Sequence, residues 1–417
     1  MTTRTAPSRA TPIRDSILAA LAWRIGRTAL ARLRVGGLTV VLADGSRHAF
    51  GDSAAADQGE IRFHESAALV RMLLGGETGA GEAYMDGRWS SPDLTALIRV
   101  AALNREALAL SSGWFRRPLQ LRRVVSHRLR RNTKAQARRN IAAHYDLGND
   151  FYRLFLDESL TYSSAVFDAP EQSLADAQRA KYRRIAAGAG LLDGSAGGRH
   201  VLEIGSGWGG FALYAAGELG CRVTTITISK EQHDLARERV AAARLEHLVD
   251  VQLRDYREIT GTYDAIVSIE MLEAVGAEYF ETFFEACDRA LRPGGRLSLQ
   301  SITFPDVAYE RQRRGANWIQ TYIFPGGLCP SLAVIERSSR NTRLLIRSVA
   351  DIGLDYARTL REWRTRFMAH LDEVRGQGFD ERFIRMWEYY LALSEAGFAT
   401  GICQDLQIAF EKRRGIA

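Results

Sequence analysis

The sequence predicts an α/β protein whose mostly parallel sheet is covered by helices on both faces, together with a small α+β domain near the N-terminus. Residues 201–204 form a short apolar run that stops at the glycine cluster of residues 205–210 and continues in a helical pattern. Apolar strands and amphipathic helices then alternate through residues 222–302. This alternation is typical of parallel sheets, because each crossover between parallel strands needs a helix.

The α+β domain is predicted from a hairpin. Residues 38–50 alternate polar and apolar side chains around Asp44 and Gly45, a dipeptide that favours two-residue turns. At 417 residues the chain can bury the cores of two or three domains. We predict an N-terminal accessory domain at residues 1–113, a basic linker at 114–139 and a larger domain at 140–417. We identify no catalytic chemistry in the accessory domain.

The linker region carries the positive charge of the chain. The formal net charge is +7, and residues 107–145 contain ten arginines and lysines and no acid, so the remainder carries −3. Leucines and valines between the arginines are typical of a basic amphipathic helix at an anionic lipid surface. A solvated interdomain linker is the alternative. Nucleic acid is disfavoured as a partner, because aromatic side chains for base stacking are absent after Phe115.

Composition argues against several other classes. The four cysteines lie far apart without CxxC spacing, which predicts a reducing, cytoplasmic setting with neither a disulfide framework nor a metal site. Arginines interrupt the most apolar N-terminal region, so no membrane-spanning helix is predicted there. The Arg-rich first 35 residues, whose single acid is Asp15, faintly resemble a transit peptide and better fit a tail followed by a helix.

The larger domain is predicted element by element. Residues 140–167 form a polar and aromatic lead-in, and a helical pattern at 174–192 precedes the central strand. The predicted elements that follow are a strand at 222–228, a helix at 231–245, strands at 249–254 and 264–269, a helix at 278–291, a turn at 292–295 and a strand at 296–302.

A ligand site is predicted at the glycine turn, because ligands of such sheets bind beyond the carboxyl ends of the strands. Glycines let backbone amides and a helix N-terminus approach a ligand closely. No acid follows the second strand, where residues 225–229 read Thr-Ile-Thr-Ile-Ser, and this argues against a conventional dinucleotide site. Asp255 and Tyr256, after the third strand, are placed to bracket an adenine. The turn at 292–295 is common among methyltransferases.

Four motifs in order resemble those of the cyclopropane-fatty-acid synthase family, from about residue 140 to the C-terminus. Residues 81–89 are also similar to the family's N-terminal domain. The resemblance implies a Rossmann-like class I methyltransferase domain with helical insertions that bind an acyl chain. The four motifs are Glu-Ile-Gly-Ser-Gly-Trp-Gly-Gly at 203–210, Thr-Ile-Ser-Lys-Glu-Gln at 227–232, Glu-Met-Leu-Glu-Ala-Val-Gly at 270–276 and Tyr-Ile-Phe-Pro-Gly-Gly at 322–327.

What the resemblance implies is S-adenosylmethionine chemistry at the cis double bond of a phospholipid acyl chain. The alkene attacks the sulfonium methyl, a carbocation forms, and a base removes a proton. Such chemistry needs an aromatic pocket that excludes water. Among the C-terminal aromatic residues we expect Tyr322 alone to contact the reacting groups. The implied cofactor contacts are Tyr162, Ser163, Gly205, Gly207, Thr227, Ile228 and Gln232, with Asp255 and Tyr256 near the adenine.

The base is where the sequence departs from the family. Members usually bind a bicarbonate ion as the base, using a cysteine, a glutamate, a histidine, backbone near an isoleucine, and a tyrosine. Here Glu273, Ile302 and Tyr322 match this set. Ser164 stands at the cysteine position and Gln300 at the histidine position, so bicarbonate is in doubt as a cofactor.

Glu270 is the accompanying gain, at a position where many members have glycine. We hypothesise that its carboxylate takes the place of bicarbonate as a built-in base, with Gln300 and Ser164 as neutral hydrogen-bond donors. Two neighbouring carboxylates repel, so Glu273 and Glu270 would raise the pKa of one of the pair. The alternative is that Glu270 points to solvent or pairs with an arginine.

The product is left open by the sequence. Loss of a proton from the added methyl group closes a cyclopropane, whereas a hydride shift before proton loss gives a methylene branch. The motif Glu-Met-x-Glu-Ala-Val-Gly resembles actinobacterial methyl-branching members, which work beside a separate reductase.

Two other functions are alternatives to acyl-chain methylation: a methyltransferase on a non-lipid small molecule, and a noncatalytic lipid- or cofactor-binding protein. We expect a cytoplasmic protein, peripheral to the inner face of the cell membrane, and a homodimer remains open.

Overall fold

The computed structural model describes residues 12–108, 147–192, 194, 196–313, 315 and 317–414. The predicted basic linker, residues 114–139, lies outside the described residues. The described residues form two compact units. The first comprises those before residue 109 together with Glu381–Tyr389, and the second comprises residues 147–380 and 390–414.

The first unit contains a four-stranded sheet in the order β2-β1-β3-β4. The predicted hairpin is confirmed, since Leu38 lies opposite Phe50 and Gly45 has a positive φ of 84° in the turn. β3 runs parallel to β1. The elements are α1 Pro12–Leu30, β1 Gly37–Val41, β2 Arg47–Gly51, β3 Gln58–Phe63, α2 Ala67–Met85, β4 Trp89–Ser90, α3 Leu94–Leu103 and α4 Arg105–Leu108.

Residues 81–89 hold a distant segment of the chain in this unit. The Tyr84 hydroxyl donates to Glu388 Oε2 at 2.6 Å, and the Tyr84 ring packs on Tyr389 at 5.5 Å between centroids. Arg385 donates to the backbone oxygens of Tyr84 and Trp89. This motif therefore binds a segment that lies about 300 residues later in the sequence.

The second unit contains a seven-stranded sheet in the order β10-β11-β9-β8-β5-β6-β7. Strands β5 to β9 pair in parallel, whereas β11 pairs antiparallel with both β9 and β10. The elements are α5 Asn149–Arg153, α6 Leu174–Gly188, β5 His200–Ile204, α7 Gly210–Gly217, β6 Arg222–Thr227, α8 Lys230–Ala242, β7 Val249–Leu253, β8 Tyr263–Ile269, α9 Phe280–Ala290, β9 Leu291–Thr303, α10 Asp306–Arg313, α11 Trp318–Tyr322, α12 Leu332–Ser339, β10 Leu344–Asp351, α13 Gly353–Ala369, α14 Leu371–Gly376, α15 Glu381–Ala399 and β11 Gln404–Lys412. Short 3₁₀ helices cover Tyr256–Glu258, Leu272–Ala274 and Ala277–Tyr279.

Helices cover both faces of this sheet, as predicted. On one face Phe280, Phe283 and Phe284 of α9 pack with Leu297 and Leu299 of β9. On the other face, side chains of α6 and α7 pack against β5, β6 and β8. The predicted order of strands and helices from residue 222 to residue 302 is therefore confirmed.

The predicted turn at residues 292–295 is wrong in one respect, because these residues lie within the bounds of β9. Tyr263 pairs with Leu291 and Ala265 pairs with Arg296, so four residues are inserted in β9 opposite a single residue of β8. Gly294 has a φ of 77° in this insertion. The Pro-Gly-Gly sequence thus forms a bulge that interrupts a continuous strand.

The antiparallel edge of the sheet was not identified from the sequence. Strand β11 inserts between β9 and β10, with Asp405 opposite Ile302 and Gln407 opposite Gln300. This pairing places Asp405 and Gln407, near the end of the chain, beside the last residues of the parallel strand β9. Among the described helices, none has the length and hydropathy needed to cross a bilayer.

Candidate active site

The glycine turn after β5 has a backbone conformation that residues other than glycine rarely adopt. Gly205, Gly207 and Gly209 have φ values of 94°, 49° and 86°, and Gly209 caps the N-terminus of α7. A Cβ on Gly205 would lie 3.1 Å from Met271 Cγ, whereas a Cβ on Gly207 would meet nothing within 4 Å. The turn therefore offers an open backbone surface next to a helix N-terminus, which fits a cofactor with polar groups.

The cofactor residues predicted after β6 form one hydrogen-bonded group. Thr227 Oγ1 donates to Gln232 Oε1 at 2.9 Å, and Ser229 Oγ accepts from the Gln232 amide at 3.3 Å. Thr227 and Gln232 are buried, and Ile228 is half-buried between them. Their position after β6 places them beside the glycine turn, because the amides of Gly205 and Ser206 both bond to Ile226 O at 3.0 Å.

Tyr162 and Ser163 lie in the loop before α6. The Tyr162 hydroxyl donates to the Tyr390 hydroxyl at 3.0 Å, and its ring packs on Trp363 at 5.2 Å. Ser163 Oγ accepts from Lys181 Nζ at 2.7 Å. Both predicted residues are therefore held by side chains that the sequence analysis did not select.

Lys181 is one of those missed residues. It is 0% exposed on α6, and burial lowers the pKa of its ammonium to about 8, opposed by the charges of Glu270 and Asp405. The helical spacing could have indicated its burial. Lys181 is four residues from the buried Ala177 and four from the buried Ile185, so all three lie on the same face of the helix.

Asp255 and Tyr256 follow β7 at the same edge of the sheet. Asp255 accepts two hydrogen bonds from the Arg257 guanidinium, at 2.8 and 2.6 Å. Tyr256 is buried against Phe283, and its hydroxyl has no hydrogen-bond partner among the described residues. A contact of either residue with an adenine stays a prediction.

Glu270 lies at the centre of the site, with its carboxylate bound by three donors. Oε1 accepts from the Ser164 amide at 2.7 Å and from Gln300 Nε2 at 2.9 Å, and Oε2 accepts from the Tyr356 hydroxyl at 2.8 Å. Ser164 thus donates through its backbone, because its hydroxyl bonds to Ala165 O. Glu270 is partly buried and makes these contacts rather than an arginine pair.

The backbone of Glu270 has a conformation that would suit glycine better than glutamate. Its φ is +46°, a left-handed conformation that a side chain with a Cβ adopts only at a cost. The Glu270 amide also donates to Gln300 O at 2.8 Å. Hydrogen bonds to backbone and carboxylate together keep the glutamate in this conformation.

Glu273 is the second carboxylate, on the 3₁₀ helix after β8. Its Oε1 accepts from Ser301 Oγ at 2.9 Å and from the Ile302 amide. Oε2 has no hydrogen-bond partner among the described residues. Burial raises the pKa of Glu273 to about 8, and the charge of Glu270 contributes second, so the predicted repulsion is present.

Gln300 joins this cluster to the far edge of the sheet. It is 0% exposed, and its Nε2 donates to Asp405 Oδ2 at 2.9 Å as well as to Glu270. Gln407 Nε2 donates to Gln300 Oε1 at 3.0 Å. Asp405 was missed from the sequence, because nothing near residue 405 indicates that β11 pairs with β9.

Two C-terminal tyrosines lie near the carboxylates. The hydroxyl of Tyr356, a residue that the sequence analysis did not select, bonds to Glu270. Tyr322 is half-buried at the end of α11 and packs on Trp318 at 5.5 Å. The loop that follows it is anchored beside Glu273, since Leu328 N donates to Glu273 O at 2.8 Å. Contact of Tyr322 with a substrate stays a prediction.

Comparisons with known proteins identify the family of the chain. Residues 132–408 match the family model described as mycolic acid cyclopropane synthetase. The chain is 43% identical over 373 residues to the tuberculostearic acid methyltransferase UfaA1 of Mycobacterium tuberculosis (strain ATCC 25618 / H37Rv), covering 87% of this chain and 85% of that protein. It is 34% identical over 370 residues to the cyclopropane-fatty-acyl-phospholipid synthase of Escherichia coli (strain K12), covering 87% and 90%.

A solved structure supports the same assignment. The mycolic acid cyclopropane synthase CmaA1, crystallised with SAH and CTAB, superposes with a TM-score of 0.61 at 28% identity, covering 66% of this chain and 98% of that one. The predicted fold class and the family resemblance are thereby confirmed, and the protein is an S-adenosylmethionine-dependent enzyme. On the match to the family model and to these relatives, the chain belongs to the mycolic acid cyclopropane synthetase family.

Proposed function

We propose that the protein methylates the cis double bond of an unsaturated phospholipid acyl chain and that Glu270 removes the proton that must then leave. The observation that carries this proposal is the carboxylate of Glu270, held by three donors beside the predicted cofactor residues. Methylation of acyl chains is in keeping with the relatives. The identity of the base and the identity of the product are the parts of this proposal that go beyond the relatives.

The glycine turn, the group around Thr227 and Gln232, and the loop of Tyr162 and Ser163 would hold S-adenosylmethionine. This cofactor, when bound, supplies an electrophilic methyl group. The open backbone at Gly207 supports the fit. The protein's own task is to keep water out and to orient the alkene, and the rings of Tyr162, Trp363 and Tyr356 supply apolar and electron-rich faces for a cationic intermediate.

Glu270 suits the role of base because its position is fixed and its proton affinity is increased. Burial raises its pKa above the ordinary value, while the bonds from Ser164 and Tyr356 and the charge of Lys181 oppose the rise. A hydride shift first moves the positive charge to the methylated carbon. A C–H bond of the added methyl group then breaks, its electron pair forms the second bond of the methylene group, and the proton passes to the carboxylate.

A bicarbonate ion does not fit this site. The Ser164 amide and Gln300 Nε2, two donors available to such an anion, already bind Glu270. The Glu270 carboxylate already supplies a negative charge at this place, and a second anion beside it would be repelled. No step of the proposed reaction therefore uses bicarbonate.

We propose a methylene-branched product rather than a cyclopropane. Glu270 is part of the motif that resembles methyl-branching members, and a relative at 43% identity is named a tuberculostearic acid methyltransferase. Conversion of a methylene branch into a methyl branch requires two electrons and two protons, so a separate reductase would act next.

Access to a phospholipid requires contact with a membrane surface. The basic segment at residues 114–139 is the proposed contact, because its arginines complement anionic headgroups. Peripheral binding at the inner face of the cell membrane and homodimer formation belong to the same proposal. Sedimentation with anionic and with zwitterionic vesicles tests the membrane contact, and equal binding to both would contradict the charge argument.

Lipid mass spectrometry tests the proposed function. Cells that express the protein are grown with methyl-labelled methionine and one defined monounsaturated fatty acid. We expect a labelled acyl chain heavier by one methylene unit, and NMR then distinguishes a branch from a ring. Label in a polar small molecule instead would favour a non-lipid methyltransferase. Cofactor binding without any labelled product would favour a noncatalytic protein.

Tyr356→Phe should reduce kcat about tenfold and move the acid limb of the pH profile to higher pH. The hydroxyl stabilises the ionised form of Glu270, so its loss raises the pKa of that carboxyl and a higher pH is needed to ionise it. The measurement is kcat/KM against pH. Tyr309→Phe, at a buried tyrosine of α10, is the matched control. An acid limb that moves to lower pH would contradict the prediction.

A further inference from the structure

Asp405 is a buried carboxyl group to which the mechanism above gives no role. It lies on β11, opposite Ile302 of β9, and is 0% exposed. Its Oδ2 accepts from Gln300 Nε2 at 2.9 Å, and its Oδ1 has no hydrogen-bond partner among the described residues. A buried charge without full hydrogen bonding is costly, and a carboxyl group in such a place tends to keep its proton.

Asp405 and Glu270 share one amide nitrogen. Gln300 Nε2 lies 2.9 Å from Asp405 Oδ2 and 2.9 Å from Glu270 Oε1. Each carboxyl group thus accepts one hydrogen bond from the same amide nitrogen, which has two protons to donate. Gln407 fixes the orientation of this amide, because it donates to Gln300 Oε1 and so directs Nε2 towards the two carboxyl groups.

The groups around this pair hold more acids than one cation can neutralise. Lys181 of α6 is the cation that interacts with both carboxyl groups. Burial raises the pKa of Asp405 well above its ordinary value, and the charges of Glu270 and Glu273 raise it further. In the described part of the chain, other titratable groups that interact with members of this cluster include Asp157, Glu203 of β5, Cys329 of the loop before α12, Tyr356 of α13, Tyr390 of α15 and Cys403 before β11.

We propose that Asp405 is a positioning residue that keeps its proton through the catalytic cycle, so that the pair carries one negative charge and Glu270 carries it. This rests on the proposed role of Glu270 as base. A neutral Asp405 leaves Lys181 to balance a single adjacent charge. The abstracted proton goes to Glu270, and the pair then holds two protons until one leaves to solvent. Asp405 itself forms no bond to substrate.

Infrared spectroscopy of the intact wild-type protein tests this without any substitution. The aspartate carboxyl groups are labelled with ¹³C. At neutral pH we expect an infrared band of a protonated carboxylic acid whose frequency is shifted by the label. Asp405→Asn should remove that band, and Asp351→Asn, at an exposed aspartate of β10, should leave it. The absence of the band from the wild-type protein would overturn the proposal. The band does not depend on turnover, so it is separate from the test of Glu270 as base.

The pH profile of Asp405→Asn is the second measurement. Asparagine keeps an oxygen for Gln300 and is neutral, like a protonated aspartate. We expect kcat at the optimum to stay within about tenfold of wild type and the acid limb to stay at the same pH, because one neutral group replaces another. An ionised Asp405 predicts a different profile, since removal of its charge would lower the pKa of Glu270 and move the acid limb to lower pH. That shift, or loss of activity at every pH in a folded protein, would overturn the proposal.

Discussion

Glu270→Gln should reduce kcat by about 10²- to 10⁴-fold, the range that positioned general bases contribute. Glutamine has nearly the same size and keeps an oxygen for the Ser164 amide and Gln300 Nε2. It cannot accept the proton from the methylated chain. The loss should therefore appear in kcat, with cofactor affinity nearly unchanged, because the cofactor residues are not altered.

The measurement is turnover of vesicles of a monounsaturated phospholipid, in buffer depleted of bicarbonate and in buffer supplemented with it. Wild-type activity should be the same in both buffers. Glu278→Gln, at an exposed glutamate of the neighbouring 3₁₀ helix, is the matched control. Full activity of Glu270→Gln, or its restoration by added bicarbonate, would show that Glu270 is not the base.

Gly205→Ala should weaken cofactor binding at least tenfold, which corresponds to about 1.4 kcal/mol. A residue with a Cβ at a φ of +94° is strained by about 1 to 3 kcal/mol. The added methyl would also lie 3.1 Å from Met271 Cγ, so either the turn or Met271 must move. Because Met271 adjoins Glu270, this movement should lower kcat as well.

Calorimetric titration with S-adenosylhomocysteine measures the first effect. Gly378→Ala is a close control, because Gly378 has a φ of +93° and its added Cβ would meet nothing within 4 Å. Both variants should lose similar stability through backbone strain, and Gly205→Ala alone should lose affinity. Equal affinity of the two variants for S-adenosylhomocysteine would show that the glycine turn is not part of the cofactor site.

Much of the architecture could be predicted because it depends on local patterns. The glycines at 205–210 fix a strand-to-helix turn, and the alternation of strands and helices after residue 222 requires a parallel sheet. The hairpin around Gly45 follows from its turn residues. The insertion at 292–295 was misplaced, because a Pro-Gly-Gly sequence serves equally in a turn and in a bulge, and the antiparallel edge was missed.

The site was predictable where a motif carries it. Glu270 and Glu273 were selected within a motif, and Ser164 and Gln300 were selected by the family positions that they occupy. The structure brings Glu270, Ser164 and Gln300 into direct hydrogen bonding. The donor atom of Ser164 depends on the backbone path and could not be predicted.

The sequence by itself determined the family, the order of the elements and the presence of a carboxylate at position 270. Only the tertiary structure decided what surrounds that carboxylate. Its partners, Ser164 and Tyr356, lie 106 and 86 residues away in sequence, and Asp405 lies 105 residues from the Gln300 that joins it to Glu270. The physical reason is that the proton affinity of a carboxyl group depends on burial and on neighbouring charges. Both are set by residues from separate parts of the chain, among them Lys181 of α6, Gln300 of β9 and Tyr356 of α13.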